Sequence, residues 1–229
     1  MSRSHFHEEL ERMELQVLTM GELAATAVRG AVDSVLERDN EKAEMVIAGD
    51  DAVDELYTST DQGLLMLLAL QAPVATDLRL ISAIMHVSGH LERIADQAVN
   101  VAKLQEITKD LPTSEPILRM IGEMGDVAVA MVRCAMDALR HRDGDLCTRL
   151  PEMDDPLDRL NRHMHLEVAK LAHDHRALDW GMHMNMVARA LERVGDNAVD
   201  IAEQVEFLLT GEHHEFTDAS ATGIILDEE

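Results

Sequence analysis

Leu91-Glu92-Arg93-Ile94-Ala95-Asp96 returns one hundred residues later as Leu191-Glu192-Arg193-Val194-Gly195-Asp196, and the match runs on through Ala98-Val99 and Ala198-Val199. A shift of 104 residues aligns the segments before it: Met20-Gly21 with Met124-Gly125, Val28-Arg29 with Val132-Arg133, and Arg38-Asp39 with Arg142-Asp143. The same shift places Asp50-Asp51 on Asp154-Asp155, Asp54 on Asp158 and Leu56 on Leu160. Helical composition alone does not repeat acids in register over two segments, so the chain reads as a duplicated unit. The four-residue difference between the two shifts falls between the second and third helical segments of each unit, where a loop absorbs it.

Helix is the class the composition favours. Aromatic residues make up 2% of the chain, whereas Ala, Leu, Met, Glu and Arg recur throughout. With so few rings, the core must be filled by aliphatic side chains and by the fifteen methionines. Six helical patterns emerge, at about 5–38, 40–71, 74–109, 115–141, 145–173 and 178–210. Asp39 and Asn40 form a start signal, Pro73 a break and restart, Thr113 or Ser114 a cap ahead of Pro116, and Gly211 a stop. The expected architecture is all-α, a tandem pair of antiparallel three-helix bundles: a first unit over 1–111, a second over 112–211, and an acidic, frayed tail over 212–229.

Charge and apolar runs exclude several functions. A formal net charge of −24 repels phosphate backbones, so nucleic acid is an unsuitable partner, whereas metal cations and basic protein surfaces suit it. Cys134 and Cys147 offer neither a disulfide framework nor metal-ligand spacing, as expected of buried thiols in a reducing compartment. The N-terminus lacks the apolar stretch of a secretory signal, and the longest apolar run, Leu64 to Leu70, is too short for a span and reads as a buried helix end. A cytoplasmic location follows as the expectation.

Each unit carries two acid pairs at i, i+4 spacing: Asp50 with Asp54 and Glu92 with Asp96, then Asp154 with Asp158 and Glu192 with Asp196. Like charges four apart share a helix face and repel by a few tenths of a kcal/mol, so something should compensate. In an antiparallel hairpin, residues equally far from the turn are neighbours. Asp50 and Asp96 are equidistant from Pro73, as are Asp54 and Glu92; the four acids of the second unit centre on position 175. Four carboxylates at one height either take up protons or hold a cation, and all-oxygen donors suit Mg²⁺, Mn²⁺, Ca²⁺ or iron. Asn100 and Asp200, one turn further on, could each add an oxygen. The competing reading is a solvated acidic face neutralised by Arg93, Arg193 and Arg159. His90 points away from Glu92 and is not expected to ligate.

The segment Ala69-Leu70-Gln71-Ala72-Pro73-Val74-Ala75-Thr76-Asp77-Leu78-Arg79, followed by Leu91 to Asn100, resembles the PhoU family of phosphate-uptake regulators, and Leu191 to Asp200 looks like its second copy. The resemblance spans about residues 5–210. It implies paired three-helix bundles, metal clusters (Mg, Mn, Fe or Zn) at the paired acidic motifs, a homodimer and no catalytic activity. It also implies action at the cytoplasmic side of a phosphate ABC transporter, reaching the membrane only through partners. Those partners would be the transporter's ATPase subunit and a sensor histidine kinase, with repression of the phosphate-starvation response as the outcome. By position, Asp50, Asp54, Glu92, Asp96 and Asn100 would form the first metal site, and Asp154, Asp158, Glu192, Asp196 and Asp200 the second.

Two departures bear on the second unit. Pro156 falls between Asp154 and Asp158, where it removes a helical hydrogen bond and distorts the site, and Arg176-Ala177-Leu178-Asp179 replaces Thr76-Asp77-Leu78-Arg79. Three rivals remain: a di-iron helical-bundle enzyme, which would need Glu-x-x-His motifs that the helices lack; a phosphotransfer bundle using His163 or His165; and a scaffold whose acids bind nothing. Neither a nucleophile beside a base nor a phosphate-cradling glycine loop is present.

Overall fold

The computed structural model describes residues 3–216. Six helices follow in order: α1 Arg3–Glu37, α2 Asn40–Leu70, α3 Ala75–Thr108, α4 Glu115–His141, α5 Gly144–Ala169 and α6 His175–Thr210. Local chemistry sets their ends. Arg38 and Arg142 occupy the left-handed region, with φ of 56° and 54°, and each hands the chain to an aspartate cap. Asp39 accepts from the amides of Glu41 and Lys42, and Asp143 from those of Asp145 and Leu146, so the turn repeats with the sequence. Gly211 ends α6 at φ 80°, and residues 71–74, with Pro73, separate α2 from α3.

Two boundaries differ from expectation. α5 stops at Ala169 and α6 begins at His175, because Asp174 caps the amides of Arg176 and Ala177; the backbone pattern expected this start at 178. Residues 212–216, placed in the tail, make contacts of their own. His213 stacks on Phe207 with ring centroids 4.0 Å apart, and the Phe216 amide donates to Glu203. The remainder of the expected tail, 217–229, lies outside the described residues.

Within each unit the three helices pack on one another, and the units meet along α1 with α4 and α3 with α6; α2 and α5 lie outside this central layer of four. The α1–α4 crossing explains the repeated Met-Gly pair. A Cβ on Gly21 would stand 2.6 Å from the Met136 side chain, and one on Gly125 would stand 2.6 Å from Val32, so the absent side chains let the helices close on each other reciprocally. The α3–α6 crossing is reciprocal too. Arg79 at the start of α3 lies against Gly211 at the end of α6, and Arg176 at the start of α6 donates to the Asp110 carbonyl just past α3. Each guanidinium meets the electronegative end of the opposite helix.

The core is aliphatic and sulfur-rich as expected: Met13, Met20, Met124, Met131, Met164 and Met184 are buried with Trp180 and the Leu, Ile and Val stripes. Cys147 is buried and Cys134 half-buried, both as free thiols. The run Leu64 to Leu70 is not a buried helix end. Leu64 and Leu67 are buried and Leu68 packs partly against the core, while Leu65, Met66 and Leu70 are exposed, because α2 is covered on one face alone. No helix among the described residues is long and apolar enough to cross a membrane.

Candidate metal centre

The hairpin of α2 and α3 brings the first four acids within reach of one another. Asp50 and Glu92 are half-buried at the edge of the packed face, and Asp54 and Asp96 are exposed beside them. Burial pushes the Asp50 carboxyl above its ordinary range, and the charges of Asp54 and Asp96 push it further. Glu92 is raised the same way, by burial first, then by Asp96, Asp54 and Asp50. Asp50 thus feels Asp96 across the hairpin and Glu92 feels Asp54 and Asp50, at the height the spacing from Pro73 anticipated. Lys103 is the nearby cation that opposes this at Asp50, and Arg93 opposes it at Glu92.

The second unit buries its cluster more deeply. Glu192 is 7% exposed, and burial raises its carboxyl to about 7, with Asp196 and Asp158 adding to the shift and Arg189 opposing it. One Glu192 oxygen pairs with Arg189; the other, Oε2, is buried without a hydrogen-bond partner among the described residues. Asp158 pairs with Arg162 at 3.2 Å. The direct ion pairs are therefore made by Arg189 and Arg162 on each acid's own helix; of the arginines named by the alternative reading, Arg93 and Arg193 act on Glu92 and Glu192 through their charge.

Pro156 does not interrupt the helix that carries Asp154 and Asp158. α5 runs unbroken through both Pro151 and Pro156. Gly195 is what seats it: a Cβ there would stand 2.5 Å from Asp154 Oδ1 and 2.6 Å from Leu157, so α5 settles against bare α6 backbone where the first unit has Ala95. Asp154 then shares a cleft with Asp196, Asp200 and Glu203.

Two of the ten expected ligands have further neighbours. Asn100 lines a cleft between α3 and α6, and Asp200 lies 3.4 Å from His90, whose Nδ1 also meets Asn197 Oδ1 at 3.0 Å. His90 thus faces the other unit rather than Glu92. Glu203 escaped the sequence reading. It sits seven residues after Asp196 and three after Asp200, on the same helix face, and that spacing was the available signal. Burial raises its carboxyl, and the Phe216 amide holds it at 2.7 Å.

Among the described residues, no three or more His, Cys, Asp and Glu side chains are already gathered into a coordination site. What the donor set does fit is a counter-cation: repelling carboxylates, partly desolvated, with one buried Glu192 oxygen unsatisfied. A hard cation would neutralise the repulsion and take that oxygen as a ligand.

Known proteins carry the same architecture. The PhoU domain model matches twice, over residues 17–105 and 121–205. A phosphate-specific transport system accessory protein PhoU homolog of Xylella fastidiosa is 33% identical over 208 residues, covering 90% of this chain and 87% of that protein. The crystal structure of PhoU from Pseudomonas aeruginosa superposes with a TM-score of 0.86 at 31% identity, covering 90% of this chain and all of that one. The phosphate transport system regulatory protein PhoU from Streptococcus pneumoniae gives 0.84 at 25% identity, with 92% and 99% covered. With both repeats matched, and the relatives aligned along most of their length, this chain belongs to the PhoU domain family.

Proposed function

We propose that this chain is a non-enzymatic regulator of phosphate uptake that holds the phosphate-starvation response down while phosphate is plentiful. Family membership across both repeats carries this reading, since relatives aligned over their whole architecture are named as phosphate-transport accessory or regulatory proteins. In the finer reading the chain works in the cytoplasm as a homodimer, docks on the ATPase subunit of a phosphate ABC transporter, and relays its state to a sensor histidine kinase. A net charge of −24 suits docking on basic protein surfaces.

We also propose that Asp50, Asp54, Glu92 and Asp96, with Asn100, hold one cation cluster, and that Asp154, Asp158, Glu192, Asp196 and Asp200 hold the other. The bound cation supplies positive charge. The chain's own part is to bring two helices' carboxylates to one height and to keep water from the Glu192 side. Binding would tie α2 to α3 and α5 to α6, and so fix the shape of the surface presented to partners.

Deleting the gene in its host and following a phosphate-starvation promoter tests the regulatory role: loss of repression at high phosphate is expected, and unchanged repression would overturn it. Tagged protein drawn from membranes at high and low phosphate tests the finer reading. Recovery of the transporter ATPase and the kinase in phosphate-dependent amounts is expected; their absence from both samples would sink it.

A further inference from the structure

The α3–α6 crossing is used twice, and its two sides have diverged. On one side His90 from α3 reaches Asn197 and Asp200 of α6 and fills the space between the helices. On the other, position 190 is Ala, and a cleft stays open. Its polar lining is Lys103, Arg189, Arg193, Gln97, Asn100 and Asn185, with no carboxylate among its residues.

Several substitutions between the equivalent positions make the open side more basic, although the imidazoles of His86 and His90 give way there to Met186 and Ala190. Where the filled side has Asp200 and Glu203, the open side has Asn100 and Lys103; where it has Gly89, the open side has Arg189; Arg93 and Arg193 are common to both. Two acids are removed and two cations installed, in a chain with 44 acidic residues against 20 Lys and Arg. Among the described residues neither Lys103 nor Arg193 makes a direct ion pair; each acts on a carboxylate only at longer range, Lys103 on Asp50 and Arg193 on Glu192. Arg189 spends one arm on Glu192 and keeps further N–H donors, since a guanidinium carries five.

We infer that this cleft is an oxyanion site, built for a free tetrahedral anion of the phosphate class. Guanidinium groups bind such anions through paired, charge-assisted hydrogen bonds, an ammonium adds a point charge, and carboxamides supply neutral donors. Its place between the repeats means that an anion held there touches α3 of one unit and α6 of the other. Occupancy would bear on how the two halves sit together.

Titration of chelator-treated full-length protein with inorganic phosphate, followed calorimetrically at low salt, tests the assignment. One equivalent should bind, and Lys103→Gln and Arg193→Gln should each weaken it about tenfold. Both side chains are exposed, so the variants fold. Ala190→His, which copies the filled side, should abolish binding, whereas Arg93→Gln, the same change at the equivalent position, should leave it intact. O-phosphoserine serves as the second ligand: inorganic phosphate binding at least as tightly supports a free anion, and binding of phosphoserine alone overturns that choice. No phosphate binding, equal affinity in Lys103→Gln and Arg193→Gln, or an equal loss in Arg93→Gln would overturn the site.

Discussion

Replacing Glu192 by Gln should make the metal-free protein more stable, and only at neutral to alkaline pH. In the unfolded chain this carboxyl releases its proton near 4.5; in the folded protein burial and the neighbouring aspartates hold the proton until about 7. Between those values the folded state binds the extra proton. Stability therefore falls as pH rises through the window, and the loss is complete above about pH 7. At about 1.4 kcal/mol per tenfold change in acidity, the full penalty is about 3 kcal/mol. Gln is nearly isosteric with the protonated acid and escapes it. Losing the pairing to the exposed Arg189 returns no more than about 1 kcal/mol, so the variant should gain about 2–3 kcal/mol at pH 8. At pH 5 the two proteins should agree within about 1 kcal/mol. Urea unfolding of chelator-treated protein at both pH values measures the difference, and subtracting wild type from variant cancels the other titrating groups. Saturating Mn²⁺ should raise the stability of wild type at pH 8 more than that of the variant. A gap that is absent, or the same at both pH values, would refute the reasoning.

Gly195→Ala puts a methyl 2.5 Å from Asp154 Oδ1 and should cost about 1–2 kcal/mol in urea unfolding despite alanine's better helix propensity. Asp39→Ala and Asp143→Ala each remove two accepted amide bonds at equivalent turns, so each should cost about 1 kcal/mol, and the double variant should show an additive loss. Burial pushes the Cys147 thiol up to about 12, so a disulfide reagent at pH 8 should label Cys134 first and Cys147 only on unfolding. Simultaneous labelling of both thiols in native protein would contradict that order.

The duplication made the architecture legible. Six helices, the Asp39 cap, the break at Pro73 and the Gly211 stop all follow from local chemistry that tertiary contacts reinforce. The levels of the acids were legible too, because hairpin neighbours obey simple arithmetic around a turn, and Asp50 does feel Asp54 and Asp96. What escaped was decided largely by packing between helices. The close approach of Asp154 to Gly195 has no local signal, and neither does the continuity of α5 through Pro156. His90 could be placed off the Glu92 face, but its partners Asn197 and Asp200 lie on a helix from the other repeat. The Leu64–Leu70 run misled for a related reason. Hydropathy alone cannot report that α2 has neighbours on one side only.

Equilibrium dialysis of chelator-treated protein against Mn²⁺, with elemental analysis of the bound ion, shows whether the paired acids hold cations. Wild type should bind ions, Glu92→Gln/Asp96→Asn should lose the first unit's share, and Glu192→Gln/Asp196→Asn should lose the second unit's share. Folded double variants that keep the wild-type stoichiometry, or a wild type that binds nothing, would contradict cation binding by the paired acids.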